Sequence, residues 1–387
     1  MFNATLFMTS LSFFLINDMT PWKDAYECPA NVRVFNETWP TIGVIFLVYG
    51  ILLVVLNIFC SIAIIYTKCT HPSTQLMLFL SILDIIQLAV NSILTGFLGR
   101  EGLSYCNHPK LIFIAGALGN GAWLTASPTC ILLTLERMTE AEVLLRVKRI
   151  FKDGSYFIVL FCLFVWTIYS FLFTSPALFS SNHLCWLYNP LIGKDPLIYW
   201  SFLHTVNNSV MTIVIIPLNL YFAFHLFRKR YVLSQWSYKS ARQIIGQTLI
   251  LSVFHSSAAF IYEIMQFISP GPGFYIAGQI AWSLSSGSAG VSYILLNKTI
   301  RHNLKKVFLS KAIRSRCGLC CYATEELVAE NVRKMAQMND MQQIAPFWDG
   351  EIFNGGNNQG HDNQNNAIKE PAPQGAQVAQ SNFVTLF

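Results

Sequence analysis

Charge is scarce in this sequence. Asp, Glu, Lys and Arg make up 12% of its 387 residues, which is about half of their usual share in a soluble domain. Hydrophobic residues make up 53% and include 30 Phe, 15 Tyr and 9 Trp, and aromatic rings suit both the core and the interfaces of a lipid bilayer. A soluble fold of this length does not need so much apolar surface, so the composition indicates an integral membrane protein.

Catalytic signatures are lacking as well. The sequence contains no phosphate-binding Gly-rich loop, no HExxH and no GxSxG. Its apolar segments hold no series of acids or bases like those of pumps and voltage sensors, and no repeats or paired broken helices like those of transporters. The net charge of +6 comes from short basic runs between apolar segments rather than from one patch. We therefore expect no enzymatic activity, no cofactor, no metal and no nucleic-acid partner.

Seven apolar segments can be recognised in the sequence, and each is long enough to cross a bilayer, which takes about 20 residues of helix. Only Asp84 and Glu263 place a carboxylate inside them, and none contains Lys or Arg. The sequence therefore predicts an all-α fold, an integral membrane bundle of seven transmembrane helices. The segments run approximately over Ile42–Tyr66, Leu76–Leu98, Leu111–Leu135, Tyr156–Phe179, Ile198–Phe227, Ile244–Ile268 and Phe274–Leu296.

The Lys and Arg residues between these segments predict the orientation. With the N-terminus outside, 21 of the 26 Lys and Arg residues lie on the cytosolic side and five lie outside. Cytosolic loops of membrane proteins carry such an excess of basic residues. We therefore expect a multi-pass protein of the plasma membrane with its N-terminus outside the cell and its C-terminus in the cytosol.

This topology predicts four regions. They are an extracellular N-terminal segment (1–41), the transmembrane domain (42–296), an amphipathic juxtamembrane helix (297–311) and a polar cytosolic tail (312–387). The juxtamembrane helix should lie on the lipid bilayer, and the tail is too polar to fold and should be mostly disordered. The apolar run Leu11–Ile16 is too short to span a membrane. It leaves two interpretations open, a signal peptide of about 20 residues or a mobile outer tail.

Three cysteines are predicted to lie on the outer, oxidising side. Cys106 precedes the third segment and Cys185 follows the fourth, and a disulfide between them would hold the second outer loop. Cys28 is the third outer cysteine, so the pairing remains formally open. On the same side, Asn36 begins the sequon Asn36-Glu37-Thr38 and is a predicted glycosylation site.

Another group of cysteines follows the juxtamembrane helix on the predicted cytosolic side. It consists of Cys317, Cys320 and Cys321. A CxxC spacing can bind a metal, but no second pair and no His-x-x-x-His run completes a zinc site. The juxtamembrane position favours S-palmitoylation of these cysteines.

Charged positions inside the helices are candidates for a conformational switch. Asp84 lies mid-way through the second segment, where a carboxylate is costly unless it is paired, hydrated or protonated. It either anchors a polar network with Asn57 and the Ser-rich seventh segment or only fixes local packing. Glu136 and Arg137 close the third segment and either form a latch between helices or are simple interfacial charges.

Together these features resemble the rhodopsin-like G-protein-coupled receptors and, more narrowly, the nematode serpentine chemoreceptors of class T (Srt). Besides the charged positions, the resemblance rests on Trp166, Pro176, Pro217 and the phrases Cys106–Pro109 and Gly290–Arg301. It implies a receptor that binds an external small-molecule cue and activates a heterotrimeric G protein through Arg137 and its basic inner loops. It also implies the membrane of a sensory neuron, in particular its cilium. Ser288–Tyr293 stands where the broader superfamily has Asn-Pro-x-x-Tyr.

The predicted ligand pocket is centred on Glu263, the only formal charge between Arg242 and Lys298. In one interpretation its carboxylate accepts a donor or cation of the ligand within an apolar pocket. In the other it is protonated, or bonded to His204 or a water, and only packs helices. The other residues expected around the pocket are Tyr262, Gln266, His204, Asn207, Asn208, Trp123, Gln279 and Trp282.

Two rival classes also use multiple apolar helices. A ligand-gated ion channel of the insect-receptor type would have its N-terminus inside the cell, contrary to the distribution of Lys and Arg. A small-molecule transporter would show broken helices and repeats. A glycan on Asn36 would separate the receptor from the channel, because only the receptor places this residue outside.

Overall fold

A computed structural model of the chain describes residues 7–29, 36–67, 71–141, 143–229, 235–268 and 271–308. Its main elements are seven long helices, which confirms the predicted all-α membrane bundle. They are α1 (Pro40–Ile65), α2 (Pro72–Glu101), α3 (Pro109–Glu140), α4 (Asp153–Leu172), α5 (Phe202–Lys229), α6 (Gln235–Phe267) and α7 (Pro272–Leu296). An amphipathic helix, α8 (Lys298–Phe308), follows α7.

The helix boundaries follow from local sequence. Four helices, α1, α2, α3 and α7, begin with a proline, which fits the first helical position because its missing N–H needs no partner there. The chain of α2 widens into a π-helical segment at Ala89–Leu94. Such segments are rare, and they frequently occur at functional sites.

Six helices, α1 to α6, are long and apolar enough to cross a membrane by length and composition. The remaining helix, α7, has 25 residues and carries a run of buried serines. A polar helix of this kind can lie in a bundle because its hydroxyls bond to backbone carbonyls, as Ser285 does to Trp282 O at 2.8 Å. Helix α4 shows the opposite pattern, since Phe157, Phe161 and Phe164 are exposed and face the region where lipid would lie.

One end of the bundle, which we call the capped end, is covered by three short elements. Two are helices of the N-terminal cap, defined as residues 7–29: Leu11–Ile16 and Lys23–Tyr26. The third is a hairpin of β1 (Leu178–Ser180) and β2 (Cys185–Leu187), paired antiparallel. The hairpin lies close to α3, because a Cβ on Gly116 would be 1.7 Å from Ala177 O.

The N-terminal cap is packed against the bundle. Phe14 is fully buried, and its ring stacks on Phe113 of α3 with the centroids 4.7 Å apart. The ring of Tyr26 meets Phe113 edge-on at 5.2 Å, and the hydroxyl of Tyr199 donates to Ala25 O. The structure therefore shows residues 7–29 as a segment packed on the bundle rather than as the mobile outer tail of one of the two interpretations.

The predicted disulfide between Cys106 and Cys185 is wrong. The structure joins Cys28 to Cys106 and leaves Cys185 as a buried free thiol. The reason is the packing of the cap, which brings Cys28, just after its second helix, to the start of α3. Cys185 lies on β2 instead, with its Sγ 3.5 Å from the hydroxyl oxygen of Tyr262 on α6.

The opposite end, which we call the basic end, is formed by the start of α2, the end of α3, the 3-10 helix Leu145–Phe151 and α8. Helix α8 agrees with the predicted amphipathic helix, since Ile300 and Asn303 are buried and Asn303 Nδ2 donates to Ala63 O at 3.2 Å. The predicted tail and Cys317, Cys320 and Cys321 lie outside the described residues.

Candidate functional site

Trp123 on α3 is the centre of a buried aromatic cluster in the half of the bundle nearer the capped end. Its ring lies parallel to His255 of α6 with the centroids 5.8 Å apart and meets Trp282 of α7 nearly perpendicularly at 6.5 Å. Its indole Nε1 donates to Asn208 Oδ1 of α5 at 2.9 Å. One side chain thus contacts the three helices that the sequence placed around a ligand pocket.

Tyr262 closes the cluster towards the hairpin. Its hydroxyl donates to Gln279 Oε1 of α7 at 3.2 Å, and its ring contacts those of Trp282 at 5.9 Å and His204 at 6.2 Å. The neighbouring thiol of Cys185 lies outside the spans, and burial raises its pKa to about 12. A neutral thiol and a phenol therefore face each other between β2 and α6.

His204 on α5 completes the cluster with polar and aromatic contacts. It is buried, and Gln266 Nε2 lies 3.1 Å from its Nδ1. Asn208 Nδ2 lies 3.2 Å from its Nε2, and the ring of Tyr188 meets it edge-on at 5.0 Å. We define the aromatic cluster as Trp123, Tyr188, His204, His255, Tyr262 and Trp282.

A set of hydrogen bonds between α2 and α7 holds Trp282 and Gln279, which belong to or contact the cluster. In the π-helical segment, Asn91 O accepts from Gln279 Nε2 at 2.6 Å and from Ser283 Oγ at 3.1 Å. Trp282 Nε1 donates to Gln87 Oε1 at 2.8 Å. Sequence reasoning missed Gln87 and Asn91, although both are polar residues inside an apolar segment.

Glu263, the predicted centre of the pocket, lies on a different face of α6. Successive helical residues are about 100° apart, so Tyr262 points into the cluster while Glu263 faces α5. Its Oε1 accepts from Ser209 Oγ at 3.2 Å, and the residue is only partly buried. The structure therefore does not bring Glu263 into the aromatic cluster, whereas Tyr262 belongs to it and Gln266 contacts it through His204. Asn207 lies beside the cluster, next to Asn208, and donates to Ser127 Oγ of α3 at 3.0 Å.

The predicted network around Asp84 is displaced along α2. Asp84 is fully buried, and neither of its carboxylate oxygens has a hydrogen-bond partner among the described residues. The serine Ser283 bonds to Asn91 instead, two turns further along the helix. Asn57 does reach α7, but by packing, since a Cβ on Gly290 would be 2.9 Å from Asn57 Oδ1.

The charged residues at the end of α3 make contacts that the sequence did not predict. Arg137 Nη1 donates to Glu140 Oε2 at 2.9 Å, and its Nη2 lies 2.8 Å from Met77 Sδ of α2. Glu136 is near His71, at the start of α2, instead of pairing with Arg137: its Oε1 is 3.5 Å from His71 Nδ1. Arg137 and Glu136 therefore both contact α2, through Met77 and His71. The acid that pairs with Arg137 is Glu140.

Comparison with known proteins decides the family. The model of the family described as serpentine type 7TM GPCR chemoreceptor Srt matches residues 9–317. The chain belongs to the Srt family of serpentine chemoreceptors. The Caenorhabditis elegans protein named Serpentine receptor class T-55 is 29% identical over 231 residues, which are 59% of this chain and 62% of that protein. The chain thus matches less than two thirds of the length of this relative.

The Srt match also bears on the two ends of the bundle. It begins at residue 9, two residues before the first helix of the N-terminal cap. It ends at residue 317, beyond α8. The cap and α8 are therefore both parts of the Srt region, together with the seven helices that hold the aromatic cluster.

Proposed function

We propose that this Srt protein is a plasma-membrane receptor that binds an external small molecule and activates a heterotrimeric G protein. The capped end faces the outside in this proposal, which agrees with the excess of Lys and Arg on the other side. The observation that carries it is the aromatic cluster, which joins α3, α5, α6 and α7 in the outer half of the bundle. A ligand placed there would touch these four helices at once.

The side chains of the cluster favour an uncharged ligand. Glu263 is turned away from the cluster. The polar groups that contact the cluster include the amides of Asn208, Gln266 and Gln279. Apolar walls with a few polar groups are typical of small-molecule sites, and an unpaired ligand charge would be costly there. The proposed ligand is therefore largely apolar and carries one or two hydrogen-bonding groups.

Signalling follows from a shift between two states of the bundle. A ligand that contacts Trp123, His255 and Tyr262 better in one state raises the population of that state. The change reaches the basic end through α6 and α3, where Arg137 holds Glu140 and Met77. Release of these contacts would free Arg137 and the basic loops beside it for the G protein.

The test is a panel of uncharged, partly apolar molecules applied to cells that express this chain alone, with a second-messenger readout. Once an agonist is found, Tyr262→Phe removes only the hydroxyl that bonds Gln279, and we expect at least about a tenfold loss of potency, or ~1.4 kcal/mol. The matched control is Glu263→Gln, one residue along the same helix, which should leave the dose-response curve unchanged at equal surface expression.

The opposite result would relocate the site. A response lost in Glu263→Gln and retained in Tyr262→Phe would place the ligand on the α5–α6 seam. A current that follows agonist without any G-protein activation would favour the channel alternative.

A further inference from the structure

Three potential metal ligands meet at the basic end, where α2 begins and α3 ends. His71 Nδ1 lies 3.5 Å from Glu136 Oε1 and 3.2 Å from Glu140 Oε1, and all three ligand atoms are within 4.8 Å of one another. Glu136 and Glu140 are one helical turn apart, so their side chains share a face of α3. We call His71, Glu136 and Glu140 the inner triad.

These distances fit the coordination shell of zinc. Imidazole nitrogen and carboxylate oxygen bind Zn²⁺ at about 2.0–2.2 Å in a tetrahedral arrangement, so the ligand atoms of such a site are about 3.3–3.6 Å from each other. The His71 nitrogen already lies at or near this separation from both acids. Small side-chain movements would therefore be enough to place an ion between the three atoms.

The balance of charge points to a cation as well. The two acids are almost fully buried, with 2% and 7% of their side chains exposed. Besides His71, the basic side chain that contacts them in the described part of the chain is Arg137. It pairs with Glu140 Oε2 at 2.9 Å. Glu136 Oε2 is buried and has no hydrogen-bond partner among the described residues, and an uncompensated buried carboxylate is strongly unfavourable.

The surroundings provide access and support. The side chain of His71 is 43% exposed, so an ion can enter from the solvent and keep a water as a further ligand. Ser73 Oγ donates to Glu140 Oε1 at 3.1 Å and lies 2.9 Å from His71 Nδ1. Arg137 and Ser73 would then act as the outer partners that orient metal ligands.

We propose that the inner triad binds a zinc ion that links α2 to α3. An imidazole ligand favours zinc over the oxygen-seeking Mg²⁺ and Ca²⁺. The ion holds Glu140 in place, and Glu140 holds Arg137. The consequence for signalling rests on the proposed function. Zinc bound here opposes G-protein activation, because it stabilises the state in which Arg137 contacts Glu140 and Met77.

The binding test uses the purified full-length protein in lipid nanodiscs and ZnCl₂ as the probe, read by competition with a chromophoric zinc indicator. Cys317, Cys320 and Cys321 are replaced by Ser throughout, because tail thiols could bind zinc themselves. We expect one zinc per chain, at least about tenfold weaker binding in His71→Ala and in Glu140→Gln, and no competition by MgCl₂. His108→Ala, at the opposite end of the bundle, is the matched control and should bind normally.

Two outcomes overturn the proposal. One is the absence of stoichiometric zinc binding to the Ser-substituted protein. The other is equal binding by His71→Ala and the parent, which would place the ion elsewhere. Because binding is measured without agonist or G protein, its failure is distinct from a failure of the receptor function. A second readout, nucleotide exchange by an added G protein, should be inhibited by ZnCl₂ in the parent and insensitive to it in His71→Ala.

Discussion

At the scale of single residues, the indole of Trp123 depends on one acceptor. Asn208→Ala removes that acceptor and leaves the buried N–H of Trp123 without a partner in the cluster. An unsatisfied buried donor costs about 1–3 kcal/mol, so we expect a lower melting temperature in a thiol-independent thermal unfolding assay in detergent. Ser257→Ala is the control, since among the described residues its exposed hydroxyl bonds only to Val253 O of its own helix. An equal melting temperature for both variants would contradict the contact.

The Cys28–Cys106 disulfide predicts how cysteine variants combine. Cys28→Ser and Cys106→Ser should each destabilise the protein by about 2–5 kcal/mol and lower its surface expression. The double variant should be no worse than either single one, because both remove the same bond. Cys185→Ser is the control and should destabilise the protein less, because Cys185 is a free thiol. Additive losses for Cys28 and Cys106 would show that they are not partners.

At the scale of elements, the N-terminal cap predicts a contrast between adjacent residues of one short helix. Phe14 is fully buried against Phe113, whereas 47% of Leu15 is exposed. Phe14→Ala should therefore cost about 3–5 kcal/mol of stability, and Leu15→Ala should cost far less. Thermal unfolding of the two variants measures the difference. Intact mass of the purified protein provides the check on processing, because a signal peptide cleaved near residue 20 would remove both residues.

The elements also show what sequence could and could not predict. Seven apolar segments were enough to place the helices and the depth of Trp123, Tyr262 and Trp282. Depth alone did not predict which residues of α6 face the cluster, since neighbouring side chains on a helix point about 100° apart. Tyr262 therefore faces the cluster, whereas Glu263 contacts Ser209. The π-helical segment of α2 could not be predicted from the sequence either, and Asn91, which lies in it, meets the serines of α7 instead of Asp84.

Contacts between distant elements were the hardest to foresee. His71 precedes α2 in a short connection, and nothing in its neighbourhood signals that Glu136 and Glu140 lie beside it. The pairing of Cys28 likewise depends on how the N-terminal cap packs, which its short apolar run leaves undetermined. In both cases the deciding information is a tertiary contact and not a local pattern.

At the scale of the whole molecule, orientation can be tested through Asn36. Its Nδ2 donates to Asn107 Oδ1 at 2.9 Å at the capped end, and its sequon can be used only if that end enters the secretory lumen. We expect the protein from animal cells to run faster on a gel after treatment with an N-glycosidase. Asn36→Gln should abolish this shift. A shift that survives the substitution would assign the glycan to another sequon.

The Cys28–Cys106 bond also changes the connectivity of the chain. It is formed across 78 positions of sequence, and α1 and α2 both lie between its ends. These two helices therefore belong to a closed covalent ring, and the rest of the receptor is attached to that ring as two arms. A protease site inserted between Tyr66 and Pro72 would open the ring without dividing the molecule. The cut protein would migrate as one species until a reductant separates the fragment containing α1 from the fragment containing the other helices.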